Sequence, residues 1–158
     1  MECVIRGAFP DLKLFGSGYG SWSGDGYGYG DGYGYGYGYG SYWLACIKAF
    51  AARWNDAQRA RLEQLRELGA FICFWRSDAK GSAMHGGKNH KPVNVGSVEK
   101  VEGPLKICSR RALHGTVLPP KWEGDRLWVI ALIGELQSEE DGGKYAALER
   151  EIIGEVVP

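Results

Sequence analysis

The sequence predicts an α+β protein: a glycine-tyrosine repeat, two helices, then a small, mainly antiparallel sheet. Three observations lead there. Glycine fills every even position but Trp22 from Gly16 to Gly40, and apolar residues recur at three- and four-residue spacing through residues 42–69. After residue 70, short runs rich in β-branched and aromatic residues alternate with turn residues. The chain thus divides into an N-terminal segment with the repeat, residues 1–41, and a helical segment plus compact α+β domain, residues 42–158.

Residues 1–15 alternate loosely, as a short strand or cap would. The repeat that follows has period two, and within it Asp25-Tyr27-Tyr29 and Asp31-Tyr33-Tyr35 add period six. One extended strand of that length would reach about 80 Å, against a radius of gyration near 15 Å for a chain this size. The tract must therefore fold back, project or stay flexible. Coiling at six residues per turn would stack Tyr27 on Tyr33 and Tyr39 about 4.8 Å apart, with glycines at the corners. The expectation is a tight β-solenoid, with a flexible spacer as the alternative. Its tyrosines, Tyr27, Tyr29, Tyr33, Tyr35, Tyr37 and Tyr39, are candidate binding residues, and its exposed ends suggest self-association.

Ser41 can cap a first helix, on which Trp43, Ile47, Phe50 and Trp54 share one face. Asn55 and Asp56 start a second, in which Leu62, Leu65 and Leu68 face inward and Gly69 ends the run. "AFICFWR", residues 70–76, suits a strand buried on both faces, and residues 93–101 an edge hairpin or irregular strand. "PLKICS", Pro104 to Ser109, reads as a third strand, and residues 126–136 as the strongest one. The pattern near residues 144–151 predicts a helix, followed by a short strand.

Nineteen basic and nineteen acidic residues cancel, which removes a global electrostatic argument for nucleic acid or anionic membrane. Nucleic-acid contact would need the local basic loop 76–91, where Arg76, Lys80, Lys88 and Lys91 face only Asp78. No apolar stretch reaches the roughly 18 residues of a membrane span, and no leader pattern opens the chain, so a soluble, unexported protein is expected. Cys3, Cys46, Cys73 and Cys108 form no C-x-x-C, which favours reduced, mostly buried thiols. No metal site is expected, since His85 and His90 lack a zinc-ligand spacing.

"CSRRALHGT", residues 108–116, gathers Arg110 and Arg111 as donors and His114 as a titratable ring at one rim. Trp122 and Trp128 beyond it are expected to close the core. Glu149 and Glu151 would share a face on a strand, as acid/base or ribose-binding chemistry can require, but not on a helix. Neither a phosphate-binding loop ending in G-K-[ST] nor a G-x-S-x-G elbow occurs.

Two resemblances attach to these residues. "GPLKIC" from Gly103, "LHGT" from Leu113, "PKWEG" from Pro120 and "WVIALIGE" from Trp128 resemble a class of phage and prophage proteins that carry Gly/Tyr/Ser/Asp repeats beside such a domain. That resemblance implies a phage or mobile-element origin but no established activity; the expectation is a non-enzymatic binding protein without cofactor, acting in the cytoplasm of a bacterial host on a host or phage protein. An inhibitor of a defence system such as a CRISPR nuclease is one such role. Second, Arg76, Ser109, His114, Glu149 and Glu151 fall in an order similar to ADP-ribosyltransferase-like domains, although a Ser-Thr-Ser strand is missing. That resemblance implies the alternative, a small enzyme with those residues as its catalytic set and NAD as cofactor.

Overall fold

A computed structural model describes residues 36–84 and 91–157. Of the described residues, 36–53 and Val157 belong to one unit, and Trp54–Val156 form a second. In the first, helix α1 spans Gly36–Ala51 and buries Trp43, Cys46, Ile47, Phe50 and Ala51, the stripe its spacing predicts. It begins five residues before the expected Ser41 cap, so residues 36–40 are helical rather than extended. The β-solenoid expectation for the rest of the repeat lies outside the described residues.

The second unit opens with helix α2, Asp56–Glu67. Asn55 caps it by accepting from Gln58 N at 2.8 Å while the Gln58 side chain accepts from Asn55 N, a reciprocal capping box. Leu62 and Leu65 are buried, but Leu68 is 73% exposed, which corrects its inward assignment. Leu68 is the C-cap, already outside the last helical turn, and Gly69 at φ +84° turns the chain there.

Among the described residues seven strands follow: β1 Phe71–Ser77, β2 Val98–Lys100, β3 Leu113–Gly115, β4 Arg126–Ile133, β5 Gln137–Ser138, β6 Tyr145–Ala147 and β7 Glu149–Val156, with a 3-10 turn at Pro119–Lys121. One antiparallel sheet runs β1-β4-β7-β2, the other β3-β6-β5. Phe74 and Thr116 exchange both backbone hydrogen bonds at 2.8 Å and join the two. The long apolar runs of β1 and β4 take adjacent places, as strands buried on both faces should.

On one face of the large sheet the second sheet lies so close that a Cβ at Gly115 would stand 2.6 Å from Cys73 Sγ. On the other, the Trp54 ring covers Gly154, where a Cβ would meet it at 2.3 Å, and its Nε1 donates to Glu155 O at 3.0 Å. Glycine is required at both positions by close approach. Trp128, 1% exposed, donates to Ser77 Oγ at 2.9 Å and closes the core as expected, whereas Trp122, which donates to Gly143 O at 3.1 Å, is only half-buried.

Two sequence expectations fail in this unit. "PLKICS" is no strand, because Pro104 has no N–H for a ladder and Cys108, at φ 62°, turns the chain into a left-handed conformation. Residues 144–151 are no helix, although Ala146, Ala147, Leu148 and Glu149 favour one. The segment supplies β6 and β7, and the place of β7 between β4 and β2 satisfies its backbone on both sides. Tertiary position outweighs propensity here. The irregular strand expected over 93–101 is present only as the three-residue edge strand β2, not as a hairpin.

Candidate functional site

Strand β7 alternates charges between its two faces, and each meets a partner. Glu151, with a side chain 7% exposed, receives Arg61 Nε and NH2, both at 2.7 Å. Glu149, on the same face, meets Lys100 Nζ at 3.3 Å. Arg150 points the other way, donating to Glu99 at 2.8 Å and to His114 O at 2.8 Å, with its guanidinium 4.1 Å from the Trp75 ring centre. Burial pulls the Arg150 pKa below its ordinary value, and Glu99 works against that pull. Arg76 donates to Pro119 O at 2.9 Å and to Gly124 O at 3.3 Å, and burial lowers its pKa too.

These partners bear on the NAD constellation. Through β4, Glu151 is in register with Ile72 and Arg76 with Val156. The two therefore stand about 13 Å apart along the strands and about 10 Å across them. Ser109 Oγ donates to Lys106 O and accepts from Arg111 N at 3.0 Å, so its hydroxyl is already engaged. Glu149 and Glu151 do share a strand face, but Arg76 is not gathered with them, and the His114 carbonyl accepts from Arg150, which points to the opposite face. An open depression of about 230 Å³, lined by Asn55, Gln58, Arg61, Val95 and Ile153, touches Glu151. That volume is below the roughly 300 Å³ at which small-molecule clefts begin.

The loop from Leu105 to Ala112 is organised differently. Leu105, Ala112 and Ala146 form a small buried cluster under it, with Ile107 and Leu148 packed alongside. The Gln137 side chain clamps its first arm, donating to Leu105 O at 3.1 Å and accepting from Ile107 N at 2.9 Å. Lys106 N donates to Arg111 O at 3.3 Å, and Cys108 N donates to His114 Nε2 at 3.1 Å. This frame exposes Lys106, Arg110 and Arg111, none of which has a carboxylate partner among the described residues.

Four chemically active side chains meet at the tip of that frame. Cys108, exposed and unpaired, donates from Sγ to Glu139 Oε1 at 3.2 Å, and Lys144 Nζ donates to Sγ at 3.4 Å. Lys144 also lies 3.5 Å from Glu139. Burial, then the charges of Lys144 and Arg150, push the His114 pKa down to about 4 against the opposing pull of Glu139. The imidazole is thus neutral at pH 7 and free to accept from Cys108 N. At Lys144, burial disfavours the ammonium, but the hydrogen bond to Cys108 and the nearby Glu139 charge outweigh it, and its pKa rises.

Glu139 and Lys144 escaped the sequence reading. Their signal was the Asp-Gly-Gly turn at 141–143, which folds the chain back so that Glu139 N donates to Lys144 O at 3.0 Å. In the basic loop, Arg76 is half-buried, while Lys80 and Lys91 are exposed. Asp78 accepts from Ser82 N and Lys80 N, both at 2.8 Å, and the Ser82 bond chiefly holds its pKa down. Lys88, His85 and His90 lie outside the described residues, as do Tyr27, Tyr29, Tyr33 and Tyr35. Tyr37 and Tyr39 fall in the first turn of α1. Among the described residues no group of His, Cys, Asp and Glu is placed to hold a metal ion, and no helix is long and apolar enough to cross a membrane. No protein-family model, curated protein or solved structure matches the chain.

Proposed function

We propose that this chain is a non-enzymatic binding protein of phage or mobile-element type, and that the loop Lys106–Arg111 forms part of its contact surface for an acidic protein partner. The supporting observation is the exposed Arg110–Arg111 pair on a loop fixed by Gln137, Ser109 and His114. A rigid loop loses little freedom on binding, and arginine in bidentate pairing is the side chain best suited to carboxylates. A host defence component, a CRISPR nuclease among them, is the partner class that the sequence resemblance implies, and the bacterial cytoplasm the matching location. The NAD-using alternative has weaker support, since Arg76, Ser109 and Glu151 are engaged in holding the fold.

Full-length protein immobilised in a bacterial lysate tests the reading, with Arg110→Ala/Arg111→Ala as the comparison. The double variant should retain roughly a tenth or less of the captured partner. Equal capture by both would remove the loop from the contact surface. In parallel, nicotinamide release from NAD should be absent; release that Glu149→Gln abolishes would install the enzyme reading instead.

A further inference from the structure

We propose that Cys108 and Lys144 form a reversible oxidative cross-link, a sulfenamide between Sγ and Nζ, when the protein meets hydrogen peroxide. The linkage goes beyond the binding reading and does not rest on it. Its basis is the arrangement of three side chains brought together from two segments of the chain. Cys108 Sγ is exposed to solvent, donates to Glu139 at 3.2 Å and accepts from Lys144 Nζ at 3.4 Å. An exposed thiol in hydrogen-bond contact with both a carboxylate and a lysine nitrogen is placed to meet an oxidant from solvent, with a nitrogen nucleophile beside the sulfur once it is oxidised. Cys46 and Cys73 offer the contrast. Both are buried, and burial pushes each thiol up to about 12, away from reactivity.

The steps balance with peroxide as the two-electron oxidant. Glu139 takes the thiol proton, and the thiolate attacks one peroxide oxygen. The O–O bond breaks, sulfur becomes a sulfenic acid, and the departing hydroxide recovers the proton from Glu139 as water. Glu139 then takes one proton from the Lys144 ammonium, and the amine lone pair attacks sulfur. The S–N bond forms as the S–O bond breaks, and the sulfenic oxygen leaves as a second water with a further proton from nitrogen. Sulfur has lost two electrons and peroxide has gained them. An external thiol reverses the bond by attacking sulfur, which releases the lysine amine and leaves a mixed disulfide for a second thiol to reduce.

Geometry favours this end point over deeper oxidation. Lys144 lies against the sulfur before oxidation, so the condensation is intramolecular and competes with a second peroxide molecule that must diffuse in. The linkage would tie the loop Lys106–Arg111 covalently to the β5–β6 hairpin, to which the Gln137 side chain already holds it by two hydrogen bonds.

Peptide mapping of the full chain after brief exposure to hydrogen peroxide and thiol capping tests this. The expected product joins the Cys108 and Lys144 peptides, weighs two hydrogens less than their sum, resists trypsin after Lys144, and separates on reduction. Lys144→Arg keeps the cation but removes the nucleophilic amine, so its oxidised Cys108 should instead be trapped by dimedone as sulfenic acid. Glu139→Gln should slow linkage roughly tenfold or more. Cys108 recovered in wild type as sulfinic acid or unmodified, with trypsin still cleaving after Lys144, would overturn the proposal. A linked peptide carrying an extra oxygen would overturn it equally, since the bond would then not be S–N.

Discussion

Strand β7 and the loop Lys106–Arg111 belong to the same unit and are both rich in charge, yet they use it in opposite ways. On β7, Glu149, Arg150, Glu151 and Glu155 meet Lys100, Glu99, Arg61 and Arg126 respectively. On the loop, the cations Lys106, Arg110 and Arg111 are exposed and meet no carboxylate among the described residues. Burial accounts for the difference at Arg150 and Glu151, the two β7 charges that are buried. A charge taken out of water must be paired or its desolvation goes uncompensated, whereas a charge in water carries no such demand. Residue type alone therefore does not mark function, and an available partner-free charge is the better sign.

The contrast predicts very unequal effects of substitution. Arg150→Ala should be the most damaging, because it leaves Glu99 without its partner and empties the site over Trp75. Urea unfolding should show a loss of about 3–5 kcal/mol. Gly154→Ala comes next. Its Cβ would drive the Trp54 ring aside from 2.3 Å, at a cost of about 1–3 kcal/mol in the same assay.

His114 gives a comparable effect through pH. Its folded pKa of about 4 lies below the ordinary histidine value of 6.5, so the unfolded chain takes up the proton first. Stability is full above about pH 6.5 and falls as the pH drops toward 4, by about 2–3 kcal/mol in all. His114→Gln keeps an acceptor near Cys108 N without a proton to gain, so its loss of stability between pH 7 and pH 4.5 should be smaller than wild type's. Parallel curves would show that His114 does not titrate in this range.

At the small end, Glu149→Gln should cost about 0–1 kcal/mol, since its partner Lys100 is 70% exposed. Arg110→Ala/Arg111→Ala should leave the melting curve within about 0.5 kcal/mol of wild type. A large stability loss in that loop variant would collapse the contrast.

Much of the frame was legible in the sequence because its signals were local. Trp43, Ile47 and Phe50 announced a helical stripe, Asn55 and Asp56 a helix start, and the apolar runs at 70–76 and 126–136 the strands β1 and β4, each within a residue or three of its observed ends. The failures had long-range causes. Ala146 to Glu151 has the composition of a helix, and only the gap between β4 and β2 makes it a strand. Propensity does not account for the start of α1 at Gly36 within alternating glycines. For the site, Arg110, Arg111 and His114 were visible as one short motif. Glu139 and Lys144 reach Cys108 from more than thirty residues away, through a hairpin whose turn was readable but whose partners were not.

Capture from bacterial lysate by three proteins, wild type, Arg110→Ala/Arg111→Ala and Glu149→Gln, tests the division of labour most directly. Wild type and Glu149→Gln should retain the same partner at the same yield, while the loop variant loses it with its melting curve unchanged. Loss of the partner in Glu149→Gln, with full capture by the loop variant, would contradict the account.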